Sequence, residues 1–279
     1  MKSNKGLIAM KVFRTILFIA LSILFLLPLF WMLSSSLKTS PQVFQSPFRW
    51  VTDRLHWENY KEIWTSVDFP FYKLYFNSIF ISVFSLVGQV VISSMAAYSF
   101  AMIKFKGRNI LFIIFLITMM IPTQAVIIPR YVLFREIGIY NTLWSIILPH
   151  FFSISSIFLF RQFFMSFPKE LQEAATIDGA SHLTFWAKIL TPLTKNVMIS
   201  VSVLCFIGTW NEYLNPLIFL ANQKLYTVTL GIRYYLTNTA KDYNLMLAAA
   251  SSAIVPIMIL YASAQNYFEE GIAKTGIKG

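Results

Sequence analysis

Five stretches of this chain contain no Asp, Glu, Lys or Arg: residues 16–33, 74–103, 109–129, 137–160 and 243–268. A helix crosses the hydrocarbon core of a bilayer with about 20 apolar residues, and only a helix or a closed barrel can satisfy its backbone there. A sixth stretch, roughly 196–220, is interrupted only by Glu212. The chain is 57% hydrophobic and 13% charged, whereas soluble domains carry about 25% charged residues. The expected fold is therefore an all-α membrane protein of a single domain, residues 1–279. Its six transmembrane helices fall at about 13–35, 74–103, 109–129, 138–160, 196–220 and 243–267.

An even number of spans puts both termini on one side. If that side is the cytoplasm, it receives 13 of the 23 basic residues and five of the 12 acidic ones. The short loop holding Lys104, Lys106 and Arg108 is wholly basic, and short loops are where positive charge sets topology most firmly. The net charge of +11 is read as topology and attraction to anionic membrane lipids, not as nucleic-acid binding. The first apolar run lacks a small-residue cleavage pattern and is expected to stay as an anchor. Cys205, the single cysteine, falls mid-helix and forms no internal disulfide.

The outer segment 38–73 carries Phe48, Trp50, Trp57 and Trp64 and is expected to form one or two interfacial helices, either as anchors or as partner contacts. Residues 130–140 read as a short outer turn and 221–243 as a second sizeable outer loop. Pro28, Pro122, Pro149, Pro216 and Pro256 sit inside apolar runs, where bundles tolerate the bends they cause. Small residues gather at Ser93–Ala97 and Ala248–Ala253, which lets helix backbones approach closely.

Between the fourth and fifth spans lies a part-charged stretch, Glu173 to Pro192, reading EAATIDGASHLTFWAKILTP. Pro168 suits a helix start and Gly179 a helix stop, giving a helix of about three turns over 168–178. Ser181 caps a second helix, which Pro192 ends. Leu171, Ala174 and Ala175 share one side, flanked by Glu173 and Asp178. Such a face can seat deep in a groove of another protein, or rest on its own bundle; the residues alone leave both open.

The spacing Glu173-Ala174-Ala175, Gly179, Ile189, Pro192 resembles the E-A-A-x3-G-x9-I-x-L-P signature of permease subunits of bacterial ATP-binding-cassette importers, with Thr191 standing where the pattern has Leu. Thr209-Trp210-Asn211-Glu212-Tyr213 with Pro216, Ile121-Pro122, Ile128-Pro129 and the terminal Gly276–Gly279 resemble the carbohydrate-uptake branch, most nearly the second permease of maltose-type systems. The resemblance implies a cytoplasmic coupling helix at about 168–181, with Glu173, Ala174, Ala175, Asp178, Gly179, Ile189 and Pro192 serving ATPase coupling. It implies as partners a second homologous permease, two copies of an ABC ATPase holding Mg-ATP, and an extracytoplasmic sugar-binding protein. It places the chain in the bacterial cell membrane, both termini cytoplasmic. The 221–243 loop, with Gly231, Arg233, Tyr234 and Tyr235, would meet the binding protein, and the C-terminal tail would touch the ATPase.

Trp210, Asn211, Glu212, Tyr213 and Asn215 are candidates for lining a translocation pathway. For Glu212 two uses compete: a polar sugar path beside aromatic rings, or satisfaction of backbone groups freed by Pro216. The chain has no phosphate-binding G-x-x-x-x-G-K-[ST] loop, so ATP hydrolysis belongs to another polypeptide. His56, His150 and His182 are scattered, no metal-ligand spacing occurs, and no catalytic residue or cofactor is expected on this chain. A secondary transporter coupled to protons or sodium is the rival class; it calls for further intramembrane acids or inverted repeats.

Overall fold

A computed structural model describes residues 2–66, 69–237 and 242–275. The terminal Gly276–Gly279 motif and its proposed ATPase contact lie outside the described residues, as do positions 238–241 of the outer loop. The described secondary structure is helical: α1 (Lys2–Ser36), α2 (Ser40–Val43), α3 (Glu58–Thr65), α4 (Phe71–Met102), α5 (Arg108–Thr118), α6 (Ile127–Glu136), α7 (Trp144–His150), α8 (Ile154–Met165), α9 (Lys169–Ile177), α10 (His182–Thr184), α11 (Thr191–Leu193), α12 (Lys195–Trp210), α13 (Leu214–Phe219), α14 (Val228–Thr237) and α15 (Tyr243–Thr275).

Among the described residues, four helical stretches are long and apolar enough to cross a membrane: Met10–Ser36, Phe71–Met102, Trp144–Met165 and Tyr243–Gln265. Two more pairs pass together but are bent, Arg108–Thr118 with Thr123–Glu136 by 91° and His182–Leu193 with Lys195–Trp210 by 84°. The four continuous stretches fall on the expected first, second, fourth and sixth spans; the expected third and fifth fall on bent or broken helices, and the count reaches six only if each bent pair is one span. The first break has a local cause. Met119 and Met120 close tight turns, and Pro122 is extended (φ −61°, ψ 133°) at the start of a short 3-10 turn. The chain then re-enters a helix in which Pro129 stands early enough to need no amide bond. Residues expected as an outer turn from Arg130 onward are therefore helical up to Glu136.

The chain divides into two units, one of residues 1–72 and 231–254, the other of 73–230 and 255–279. In the first, no residue of α1 from Met10 to Ser34 is buried. Its end is tied by polar contacts: Asn59 Nδ2 donates to the carbonyls of Ser36 (2.8 Å) and Lys38 (2.9 Å). The Tyr60 hydroxyl bridges Ser36 Oγ and Ser251 Oγ, each at 2.8 Å. Lys38 is buried, donates to the Arg49 carbonyl at 2.6 Å and lies 3.8 Å from the centroid of the Phe48 ring. Burial pulls its ammonium below the usual lysine range. The outer segment expected to be helical holds α2 and α3.

In the second unit α4 presents a buried polar seam. Ser78 Oγ accepts the Val228 N–H (2.8 Å), and Asn77 Nδ2 donates to the carbonyls of Lys224 (2.9 Å) and Tyr226 (3.1 Å). Gln89 joins three helices, its Nε2 donating to Ser156 Oγ (2.7 Å) and its Oε1 accepting from Cys205 Sγ (3.1 Å). Interhelical bonds of this kind contribute about 0.6 kcal/mol each on average in membranes. Ser93, Ser94 and Ala97 are buried in this unit, as are Ala248 and Ala249 in the first. Beside Gln89, the Phe151 ring lies across Gly88 so closely that a Cβ there would fall 2.3 Å from its Cδ1 and Cε1.

Candidate functional site

The helix expected over 168–178 is α9, with Pro168 at its N-cap (φ −60°, ψ 132°) and Asp178 at its C-cap. Gly179 follows at φ +83°. The Gly179 amide donates to the Thr176 carbonyl (3.0 Å) and the Ala180 amide to that of Ala175 (2.9 Å). This pair of bonds closes the helix end only if one residue is left-handed, which glycine supplies without steric cost. Ser181 Oγ then accepts the Thr184 N–H at 3.2 Å and starts α10. The second helical stretch ends at Leu193, one residue past Pro192. Residues Phe185–Leu190 form a wide π turn in which Thr191 donates its amide to the Trp186 carbonyl. A new α turn begins at Thr191, so the missing amide of Pro192 falls in a first turn where no partner is required.

The expected apolar side of α9 is split. Ala175 is buried against a core containing Ala97, Phe164, Phe185 and Leu190. Glu173, Ala174 and Asp178 are exposed, as is Ile177, at 86%. The inner side is pinned by Tyr98 at the end of α4, which is buried. Its hydroxyl meets His182 Nδ1 at 2.9 Å and accepts from Gln172 Nε2 at 3.5 Å. Ile189 is half-buried and packs on the same core, while Pro192 is exposed. Along this end runs a groove of about 450 Å³ lined by Ile103, Lys104, Gln172, Glu173, Thr176 and His182 among others. Tyr98 escaped the sequence reading because an apolar run gives no sign of which tyrosine meets a helix more than 70 positions on.

The pathway candidates lie together at the end of α12. Trp210, 1% exposed, is stacked with Phe206 (5.6 Å between centroids) and edge-on to Tyr75 (5.3 Å). Asn211 is exposed and Tyr213 half-buried. Glu212 Oε1 accepts the Asn215 N–H at 3.2 Å in the first turn of α13, where Pro216 needs no amide bond; its carbonyl accepts from Thr229 Oγ1 at 2.7 Å. Arg130, read as a loop residue, reaches this cluster, with Nη2 2.5 Å from Asn215 Oδ1 and its guanidinium 5.1 Å from the centroid of Phe219. A further latch was invisible in the sequence: Asn141, at φ +58°, accepts the Ala221 and Asn222 amides on its Oδ1, both at 2.9 Å.

Of the outer candidates, Gly231 and Tyr235 are buried, Tyr234 is half-buried and stacked on Phe69 at 3.8 Å, and Arg233 is exposed. Burial pushes the Tyr235 phenol above its usual range. Among the described residues no group of His, Cys, Asp and Glu could hold a metal ion.

These helices define a class of membrane permease. The fold matches that of a bacterial ABC transporter involved in the import of the acidic polysaccharide alginate, with a TM-score of 0.81 and 23% identity over 93% of this chain and 96% of that one. Residues 89–274 match the binding-protein-dependent transport system inner membrane components, and the chain belongs to that family. It is 30% identical to the arabinooligosaccharides transport system permease protein AraQ of Bacillus subtilis, over 95% of both chains. It is 31% identical to the sn-glycerol-3-phosphate transport system permease protein UgpE of Brucella abortus, over 89% of this chain and 90% of that one.

Proposed function

We propose that this chain forms half of the translocation pathway of an ATP-driven importer for a sugar or oligosaccharide, and that α9 couples that pathway to a separate ATPase. One observation carries the coupling role: α9 is fixed from behind by Ala175, Tyr98 and His182 while Ile177, between Glu173 and Asp178 in sequence, stands almost fully exposed. An apolar side chain on a rigid, acid-flanked helix fits a cleft on another subunit, where carboxylates add orientation. The named substrates of the relatives, arabinooligosaccharides and alginate, support a carbohydrate. The glycerol-phosphate relative supports a phosphorylated polyol as the second reading.

The assembly then holds this chain, a second homologous permease, two ATPase subunits carrying Mg-ATP and an extracytoplasmic binding protein. Closure of the ATPase pair draws on α9, and the bundle exchanges inward-open for outward-open arrangements. Each ligand drives that exchange only as far as it prefers one state. Arg233 faces the binding protein, with Gly231 and Tyr235 placing it by packing.

Gly179 tests the coupling. Nothing lies within 4 Å of a Cβ there, so substitutions meet only the backbone penalty and whatever docks. Gly179→Asn tolerates the left-handed backbone and should keep the complex assembled, as should Gly179→Asp. Both should depress uptake and uncouple it from hydrolysis stimulated by the loaded binding protein. Unchanged uptake and stimulation in both variants would end the coupling role. Uptake that survives ATP depletion but collapses with an uncoupler would end the importer reading.

A further inference from the structure

The last turn of α4 gathers cations without a carboxylate. Arg108, the first residue of α5, donates Nη1 to the carbonyls of Ile103 (3.3 Å) and Ala101 (3.5 Å). Arg161 of α8 donates Nε to the Phe100 carbonyl (3.3 Å), and its guanidinium lies 4.1 Å from the centroid of the Phe112 ring. Both side chains converge on one short run of backbone, near enough for the two guanidinium groups to repel each other. Lys104 and Lys106 stand in the adjoining loop. Among the described residues, none of the four is paired with an acid. Carbonyls occupy only part of the donor fork of each arginine, so repulsion and unused donors both call for an anion.

A cavity of about 320 Å³, lined by Lys104, Phe105, Gly107, Arg108, Asn109 and Ile110, opens at this point. Gly107 caps α5 without a side chain, and nothing lies within 4 Å of a Cβ there. From the cavity α5 runs away with Ile110, Ile113, Ile114 and Ile117 all more than half exposed. A free inorganic anion has no use for such a flank; a molecule with a charged head and apolar tails uses both.

We propose that Arg108 and Lys104, which line the cavity, hold the phosphate of an anionic phospholipid, with Arg161 and Lys106 adding positive charge beside it and the acyl chains lying along the exposed face of α5. By the positive-inside reading this is an inner-leaflet lipid, held at the same end of the bundle as α9.

The test is native mass spectrometry of the full complex, purified from nanodiscs containing phosphatidylglycerol or only phosphatidylcholine. The wild type should retain phosphatidylglycerol through detergent washing. Arg108→Gln with Arg161→Gln should weaken retention about tenfold or more, the loss expected for charge-assisted hydrogen bonds. Because both arginines also hold the end of α4, Arg108→Lys with Arg161→Lys serves as the second variant, and it should keep most of the lipid. A Lys188→Gln, Lys195→Gln variant lowers the charge elsewhere and should retain it fully. Equal retention in the glutamine and wild-type complexes overturns the proposal, as does equal loss in the Lys188, Lys195 variant. Displacement of the lipid by millimolar inorganic phosphate would make this a small-anion site and also overturn it.

Discussion

The contact between Gly88 and Phe151 yields a prediction whose sign reverses with background. A Cβ on Gly88 would sit 2.3 Å from two ring carbons of Phe151 and 2.7 Å from a third. Ordinary contact begins at 3.4 Å, so the ring must retreat by 3.4 minus 2.3, about 1.1 Å. It has little room, because Phe151 packs on the cluster of Ile81, Ile146, Ile147 and Phe219 and its amide donates to the Leu148 carbonyl at 3.2 Å. The displacement therefore passes into the backbone between α7 and α8. Overpacking of this kind costs about 1–3 kcal/mol, and Gly88→Ala should destabilise by that amount. With Phe151→Ala already present the obstacle is gone, and alanine's better helix propensity remains, up to about 1 kcal/mol in its favour. In that background Gly88→Ala should be neutral or stabilising. Reversible unfolding in mixed micelles, run as a double-mutant cycle, reads the difference as a coupling energy. Equal destabilisation in both backgrounds would refute the reasoning, since the ring would then not be what the new methyl meets.

Tyr98→Phe removes the hydroxyl that meets His182 and Gln172, a net loss of about 0.5–1.5 kcal/mol; hydrogen exchange should rise across α9 and α10 while the rest of the chain is unchanged. Gln89→Ala breaks the three-helix bridge and should destabilise by no more than about 1.7 kcal/mol per bond. The same substitution should expose Cys205, the chain's single thiol, to small thiol reagents, measured as a faster labelling rate. Asn141→Ala loses the acceptor for two amides and strains a left-handed backbone, whereas Asn141→Gly loses only the acceptor. Thermal stability should therefore rank wild type above Gly and Gly above Ala.

Local chemistry was legible in the sequence, and long-range chemistry was not. Pro168, Gly179 and Ser181 each act on their own neighbours, and α9 with its cap stands where their residue types put it. The apolar runs foretold spans without fixing their continuity, because the turn at Met119–Pro122 and the π turn before Thr191 depend on hydrogen-bond register that periodicity does not record. Pro192 marked the helix end to within one residue, because its missing amide coincides with the register change just before the bend. The split of the α9 alanines, the reach of Arg130 to Asn215 and the clamp at Asn141 join positions far apart in the chain, so nothing in their local spacing announced them.

The bareness of α1 has a consequence for biogenesis. A first helix with no buried residue from Met10 to Ser34 enters the bilayer on its own hydrophobicity, tied to the rest of its unit mainly near its C-terminal end. Lesions along its length should therefore register late, as orphaned subunits cleared by proteolysis, while the remainder of the chain matures normally.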